Sequence, residues 1–465
     1  MAKQCVVEIQ KYSKKGIGQG SALGLEKQVE VRGSHLNEKL LVEIFRRKKG
    51  VHEARALELL EASPFRVIPR CSHAGICGGC SWQELSYERQ VVNKETQIKT
   101  LFSQHQEVEY LPIITMEDPW HFRNKMEFTF SEDKEKNRFL GLIMGGTKGK
   151  VITLSECHLT RPWMIKVLKA VNAWWNHTDL EAYHRIKNTG TLENLTLREG
   201  FNTDEKLVML SIAGAPSGAL SHSVLEAFKR AVLEQIDGVV SIFLQIKHAQ
   251  AGQRTHFSEM LLHGPDHIHE KLSITYPNNE KRVFTFKISP TSFFQPNTQQ
   301  AEKLMSQALK MVTQKKDLKV LDLYCGTATL GSIFSPLAKE VMGIELNPYA
   351  VFDADANKQL NNISNLQVEQ GDVAEVLKTL ELKNQGQWDL VIVDPPRAGL
   401  GKAAIEQIVA IAAEEILYIS CNPLTQKEDV EELVKYGYQL KLIQPVDQFA
   451  HSYHLENIAL LQRKN

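Results

Sequence analysis

Long apolar runs are missing from this sequence. The best stretch, "IEQIVAIAAEEILYIS", is broken by Glu406, Glu414 and Glu415, and no window approaches the 18 uncharged apolar residues of a membrane-spanning helix. The start, "MAKQCVVEIQKYSKK", has no apolar h-region, so a secretory signal is not expected and the cytoplasm is the expected compartment. Stable disulfides are rare there, which counts against redox pairs among the seven cysteines. Repeats and low-complexity tracts are absent, and so is a dinucleotide GxGxxG, because Gly326 is followed by Thr, Ala and Thr. Net charge is also missing: 55 basic residues balance 55 acidic ones.

The balance hides a gradient. Residues 1–62 hold 12 Lys+Arg against 8 Asp+Glu, whereas 317–465 hold 12 against 21. A polyanion would be held by the first two thirds of the chain and the chemistry done by the last. With 465 residues the chain exceeds one hydrophobic core, so two to four domains are expected. Residues 1–62 read as short strands with glycine turns, a small β-barrel of OB type, with "FRRKKG" (45–50) at a strand end. Residues 63–292 mix strands such as "FRNKMEFTFSED" with helices such as "WMIKVLKAVNAWWNH", an α+β pattern. Residues 293–465 alternate regularly, with seven strands from "LKVLDLY" to "NIALLQR" and helices between most of them. This is a doubly wound α/β, Rossmann-like fold whose last strand has no crossover helix and should run antiparallel.

The chemistry belongs at the carboxyl ends of those strands. "VLDLYCGTATLG" (320–331) ends a strand in a small-residue turn, Glu345 in "GIELNP" suits a ribose diol, and Asp372 in "EQGD" suits an adenine amino group. Without a phosphate cradle, S-adenosylmethionine fits better than a dinucleotide. The fourth strand ends in "DPPRAG" and the fifth in "SCNP". A DPP tip is shared with methyltransferases of exocyclic amines, but those place an aromatic after the prolines, and Arg397 stands here instead. Cys421 on the next tip points to carbon chemistry. The C5 carbon of uracil accepts a methyl group only after a thiolate adds to C6, and a base must then remove the C5 proton. Cys421 is the expected nucleophile and Glu456, opening the last strand in "HSYHLENIALL", the expected base.

"DPPRAG", "YISCNP" and "HLENIALL", in this order, resemble the RNA uracil-C5 methyltransferases, and "FFQPN" (293–297) and the cysteine loop extend the resemblance over nearly the whole chain. The resemblance implies that Cys421 is the nucleophile and Glu456 the proton acceptor. It also implies that Gln295, Tyr324, Glu345 and Asp394 line the S-adenosylmethionine site, and that Phe293 packs on a flipped-out base. Ala328-Thr329 stands where some members carry Gly-Asn, which puts one side-chain contact to the cofactor in doubt.

"RCSHAGICGGCSW" (70–82) places Cys71, Cys77 and Cys80 as C-x5-C-x2-C, with Cys157 following in "SECHLT". Spacing alone leaves a [4Fe–4S] cluster and a tetrahedral zinc both open. The ribosomal-RNA branch of the family has this arrangement and binds [4Fe–4S], so the resemblance implies iron, in a structural or RNA-positioning role. The barrel likewise resembles the RNA-binding TRAM module, and the two together tilt the expected substrate toward 23S ribosomal RNA. Transfer RNA, a non-catalytic RNA-binding assembly factor and cytosine-C5 methylation remain as alternatives; no membrane and no obligatory protein partner are expected.

Overall fold

The computed structural model describes residues 3–22, 25–47, 50–213, 220–248, 255–313, 317–382 and 388–464. Strands β1 (Lys3–Tyr12), β2 (Gly18–Ala22), β3 (Gln28–Val31), β4 (Lys39–Arg47) and β5 (Val51–Glu61) close into a barrel in the order β1-β2-β3-β5-β4. Alternation builds it: Leu40, Val42 and Ile44 of β4 turn inward to meet Val7, Ile9, Val29 and Val31. Gly20 is obligatory at the β1–β2 contact, where a Cβ would lie 1.8 Å from the Glu8 carbonyl oxygen. Of the basic run at 45–50, Arg46 and Arg47 are exposed at the end of β4, while Lys48 and Lys49 lie outside the described residues.

The middle of the chain supplies α1 (Tyr87–Leu101), β6 (Glu109–Tyr110), β7 (Lys125–Glu132), β8 (Arg138–Ile143), β9 (Val151–Thr153), α2 (Pro162–Asn176), β10 (Leu192–Glu199), β11 (Lys206–Ala213), α3 (His222–Leu233), β12 (Val240–His248), β13 (His256–His263), β14 (Ile268–Thr275) and β15 (Lys281–Ile288). Seven of these strands form one sheet, ordered β13-β12-β11-β10-β7-β8-β9. One face carries Met126, Phe128, Leu195, Leu197, Val208 and Leu210 against α2 and α3, and is the apolar core of this part. The opposite face is mixed. Leu207, Met209 and Phe243 on it join the core of the C-terminal domain, while Lys125, Glu127 and Arg198 are polar.

The C-terminal part holds α4 (Thr298–Met311), β16 (Leu318–Leu323), α5 (Thr329–Phe334), β17 (Ala338–Glu345), α6 (Pro348–Leu360), β18 (Leu366–Gln370), α7 (Val373–Leu382), β19 (Leu390–Val393), α8 (Lys402–Ile411), β20 (Glu415–Ser420), α9 (Pro423–Lys435), β21 (Tyr438–Val446) and β22 (Glu456–Arg463). The sheet order is β18-β17-β16-β19-β20-β22-β21-β6. The last strand, β22, inserts antiparallel between β20 and β21, as the missing crossover helix requires. Two features depart from expectation. The sheet has eight strands, because β6 adds to β21 in parallel. A division at residue 292/293 also cuts through continuous packing: Ile98 and Phe102 share a core with β19 and β20, and Leu272, Phe284 and Phe286 share one with α4 and β16. None of the described helices is long and apolar enough to cross a membrane.

Candidate active site

Strands β16, β17, β19 and β20 end at one edge of the sheet, and β22 begins there. At the first tip the backbone turns sharply, with Tyr324, Gly326 and Ala328 all at positive φ (61°, 55° and 56°). Asp322, buried beneath the turn, accepts from the Gly331 amide (2.7 Å) through Oδ2, while its Oδ1 has no partner. A Cβ on Gly331 would sit 3.0 Å from that carboxylate, so glycine permits the contact. Burial, with Asp394 and Glu345 nearby, pushes the Asp322 carboxyl up to about 7. Glu345 accepts from the Gly326 (3.0 Å) and Asn347 (2.7 Å) amides, which aim its carboxylate and leave lone pairs free for hydroxyl donors. Asp372 differs from expectation: its Oδ1 caps α7 through the Ala374 amide (3.0 Å), as a carboxylate before a helix does. Gln295 is bonded by the Gln448 amide (3.2 Å), and Phe293 is 70% exposed.

The second cluster lies at the β19, β20 and β22 tips. In the antiparallel pair Ser420 faces Asn457, so the register continued by one residue sets Cys421 opposite Glu456, about 5 Å away between Cα atoms. The half-buried Cys421 thiol is pushed up to about 11 by burial and then by Glu456 and Asp394, with Arg397 opposing. Glu456 is 4% exposed. Burial raises both it and Asp394 above the carboxylate range, and each disfavours ionisation of the other. Asn422 Nδ2 donates to the Arg397 carbonyl (2.9 Å), tying the two tips together.

The loop from Asp447 to Leu455, which delivers Glu456, is held from outside the domain. The buried Lys94 of α1 donates to Asp447 (2.6 Å) and to the Phe449 carbonyl (3.0 Å). The Ser81 and Trp82 amides both donate to the His451 carbonyl (3.0 Å each), and Trp82 packs edge-on against Tyr453 at 5.4 Å. The barrel reaches the same place, since a Cβ on Gly16 would meet Tyr453 at 2.2 Å. The cysteine loop is therefore a neighbour of the strand tips. Cys71, Cys77, Cys80 and Cys157 line the same cavity of about 380 Å³ as Cys421 and His454. Burial raises all four thiols, Cys80 to about 12, and each further charge among them adds to the effect. Among the described residues no three His, Cys, Asp or Glu side chains are set to hold a single metal ion. The thiols share a cavity without converging on one point, so the metal centre expected from the spacing is not formed by the chain alone.

The sequence profile described as tRNA (uracil-5-)-methyltransferase matches residues 244–464. An uncharacterized RNA methyltransferase of Protochlamydia amoebophila is 45% identical over 425 residues, covering 90% of this chain and 96% of its own length. The chain belongs to the tRNA (uracil-5-)-methyltransferase family. Another uncharacterized RNA methyltransferase, from Caldanaerobacter subterraneus, is 33% identical over 466 residues and 98% of both chains. Among solved structures, the Pyrococcus abyssi tRNA (uracil-54, C5)-methyltransferase in complex with S-adenosyl-L-homocysteine superposes with a TM-score of 0.74 at 25% identity, over 98% of this chain and 99% of that one.

A tRNA (uracil-5-)-methyltransferase family member is an S-adenosylmethionine-dependent RNA methyltransferase, and the β16–β19 edge fits that cofactor: Glu345 is aimed by backbone amides and Asp322 carries an orphaned buried oxygen. Asp322 and His454 were not singled out from sequence. Asp322 was hidden inside its own strand motif, and His454 is brought to the cavity by a loop with no periodic signal. The left-handed Ala328 explains why some family members place glycine at this position. Ala328→Gly should raise stability by up to about 1 kcal/mol by relieving the Cβ clash, partly offset by the freer unfolded chain. A higher thermal-unfolding midpoint with cofactor affinity unchanged is the expected result; a lower midpoint would contradict it.

Proposed function

We propose that this protein methylates C5 of a uridine in structured RNA through a temporary Cys421–C6 bond resolved by Glu456. The facing of Cys421 and Glu456 across the β20–β22 pair, with Asp394 beside them, is the observation that carries this reading. The Cys421 sulfur adds to C6 and the displaced π electrons make C5 nucleophilic. Bound S-adenosylmethionine supplies the methyl group, held in this reading by Gln295, Tyr324, Glu345 and Asp394. Glu456 then takes the C5 proton, the C6–S bond breaks and Cys421 is regenerated. A raised carboxyl is a stronger base once ionised, and Arg397 favours that ionised form. The target base must leave its stack, with exposed Phe293 available to pack on it, so a loop is a cheaper substrate than a duplex.

A [4Fe–4S] cluster on Cys71, Cys77, Cys80 and Cys157 is part of this reading. Four thiols border one cavity, the Gly79 amide (3.4 Å) donates to the Cys77 sulfur, and the Gln83 amide (3.6 Å) donates to Cys80. A zinc tetrahedron would draw the sulfurs to roughly 3.8 Å from one another; a cube with one thiolate per iron spreads them more widely. Its place behind Ser81 and Trp82 suits a brace for the His451 loop.

The barrel and the cysteine loop favour 23S ribosomal RNA as substrate. The Pyrococcus abyssi transfer-RNA enzyme aligns over the whole chain, barrel included, and this favours transfer RNA as a second reading. Mass spectrometry of nucleosides from separated 23S and transfer RNA, with and without the gene, decides. Loss of 5-methyluridine from 23S RNA is expected; loss from transfer RNA selects the second reading, and loss from neither sinks both.

A further inference from the structure

The polar half of the central sheet's second face has no assigned role. Arg198 of β10 faces Lys125 of β7 directly, and Glu127 is two residues further along β7. Arg123, two residues before Lys125, lines the Cys421 cavity together with Glu127. Side chains two apart on a strand share a face about 7 Å apart, so three cations run from the Ser292 segment toward the proposed nucleophile.

These cations lack counter-charges. Arg198 is 1% exposed, yet its guanidinium makes a single hydrogen bond, from Nη1 to the Ser292 carbonyl (2.6 Å); Nε and Nη2 have no partner. The nearby carboxylates are engaged elsewhere. Glu270 accepts from the Phe201 amide (2.7 Å), the Asn202 amide (2.9 Å) and Thr298 Oγ1 (2.6 Å), and Asp353 accepts from Ser289 (2.7 Å) and Ser292. Arg123 bonds the Lys125 carbonyl (3.2 Å). Among the described residues no carboxylate lies within ion-pair distance of Arg123, Lys125 or Arg198, and exposed Glu127 is the one acid on the same strand face. Burial and Arg198 lower the Lys125 ammonium to about 8, and burial lowers Arg198 to about 10, which is the cost of holding unpaired cations out of water.

We propose that Arg198, Lys125 and Arg123 form a seat for the RNA phosphodiester backbone beside the target uridine, on the wall of the crevice opposite the strand tips. A single carboxylate, such as that of the methyl donor, meets one such cation, whereas a strand of phosphates meets the row. The seat fixes the sugar–phosphate of the extruded nucleotide while the base enters toward Cys421, and it rests on the uracil-methylation reading above. Cations contacting phosphate set affinity and salt dependence without reading sequence.

The test measures binding of a fluorescent RNA stem-loop with one loop uridine across a KCl series, using full-length Cys421→Ala protein so that chemistry does not intervene. Lys125→Met and Arg198→Met are each expected to weaken binding about tenfold or more. Each should also flatten the slope of log K against log salt by about 0.7 per lost contact, that of single-stranded nucleic acid. S-adenosylhomocysteine affinity should stay unchanged by calorimetry. A neutral methylphosphonate beside the uridine should cost the parent as much as Lys125→Met does, and cost the Lys125 variant little more. Unchanged affinity and slope in both variants overturns the proposal, as does loss of cofactor affinity with RNA binding intact. Lys125→Met keeps the test open should Arg198→Met fail to fold. If the unmutated protein forms no adduct with 5-fluorouridine RNA, the reaction reading fails separately, and the salt slopes still judge the phosphate seat.

Discussion

Cys421→Ala is expected to eliminate methyl transfer to RNA, by on the order of 10⁴-fold or more, while leaving S-adenosylhomocysteine and RNA binding intact. The size follows from the chemistry: without a sulfur bonded to C6, C5 of uracil has no electron pair to offer. The site also dictates when the thiol is reactive. Burial, Glu456 and Asp394 hold Cys421 up to about 11, so the thiolate is scarce at neutral pH and appears only as pH rises. Iodoacetamide labelling of Cys421 in the free protein should therefore climb about tenfold per pH unit beyond pH 9, where an ordinary cysteine has begun to level off. Trapping supplies the positive control, because fluorine on C5 cannot leave as a proton and the unmutated enzyme stays bonded to 5-fluorouridine RNA. Turnover by Cys421→Ala above one part in a hundred of the parent, or no trapping with binding intact, would falsify the assignment of the nucleophile.

Glu456→Gln should instead stall the reaction late. The amide cannot take the C5 proton, so methylated RNA remains attached through C6 and turnover falls about 10²- to 10⁴-fold. Bond formation should not slow, because removing the buried carboxylate takes away one of the groups that raises the Cys421 thiol. The predicted signature is an RNA–protein band that survives denaturation, appears only with the methyl donor present and is absent from Glu456→Gln/Cys421→Ala. Normal release of 5-methyluridine from Glu456→Gln would pass the base role to another group, and Asp394, coupled to the same site, would be the next to examine.

The linear chain was sufficient for the elements and their chemistry. Period-two alternation marks the barrel strands, and the regular strand–helix rhythm after residue 317 marks the doubly wound sheet, because burial of one face leaves its period in the sequence. The missing crossover before β22 foretold its antiparallel insertion. The two tips "DPPRAG" and "SCNP" were legible because strand carboxyl ends in such sheets share one crevice.

Other features needed the folded chain. Short β6, its two residues too few to carry a period, is a strand only because β21 offers it an edge. Asp372 faces the Ala374 amide, and only the start of α7 decides that. The cysteine loop, the barrel's Gly16 and Lys94 of α1 all brace the loop before Glu456 from positions more than 350 residues away in the chain. Sequence specified which groups could do the chemistry, since that depends on residue type at a strand tip. Tertiary packing alone decided their protonation and which charges stayed unpaired, because desolvation and long-range contacts are set by neighbours that no local pattern encodes.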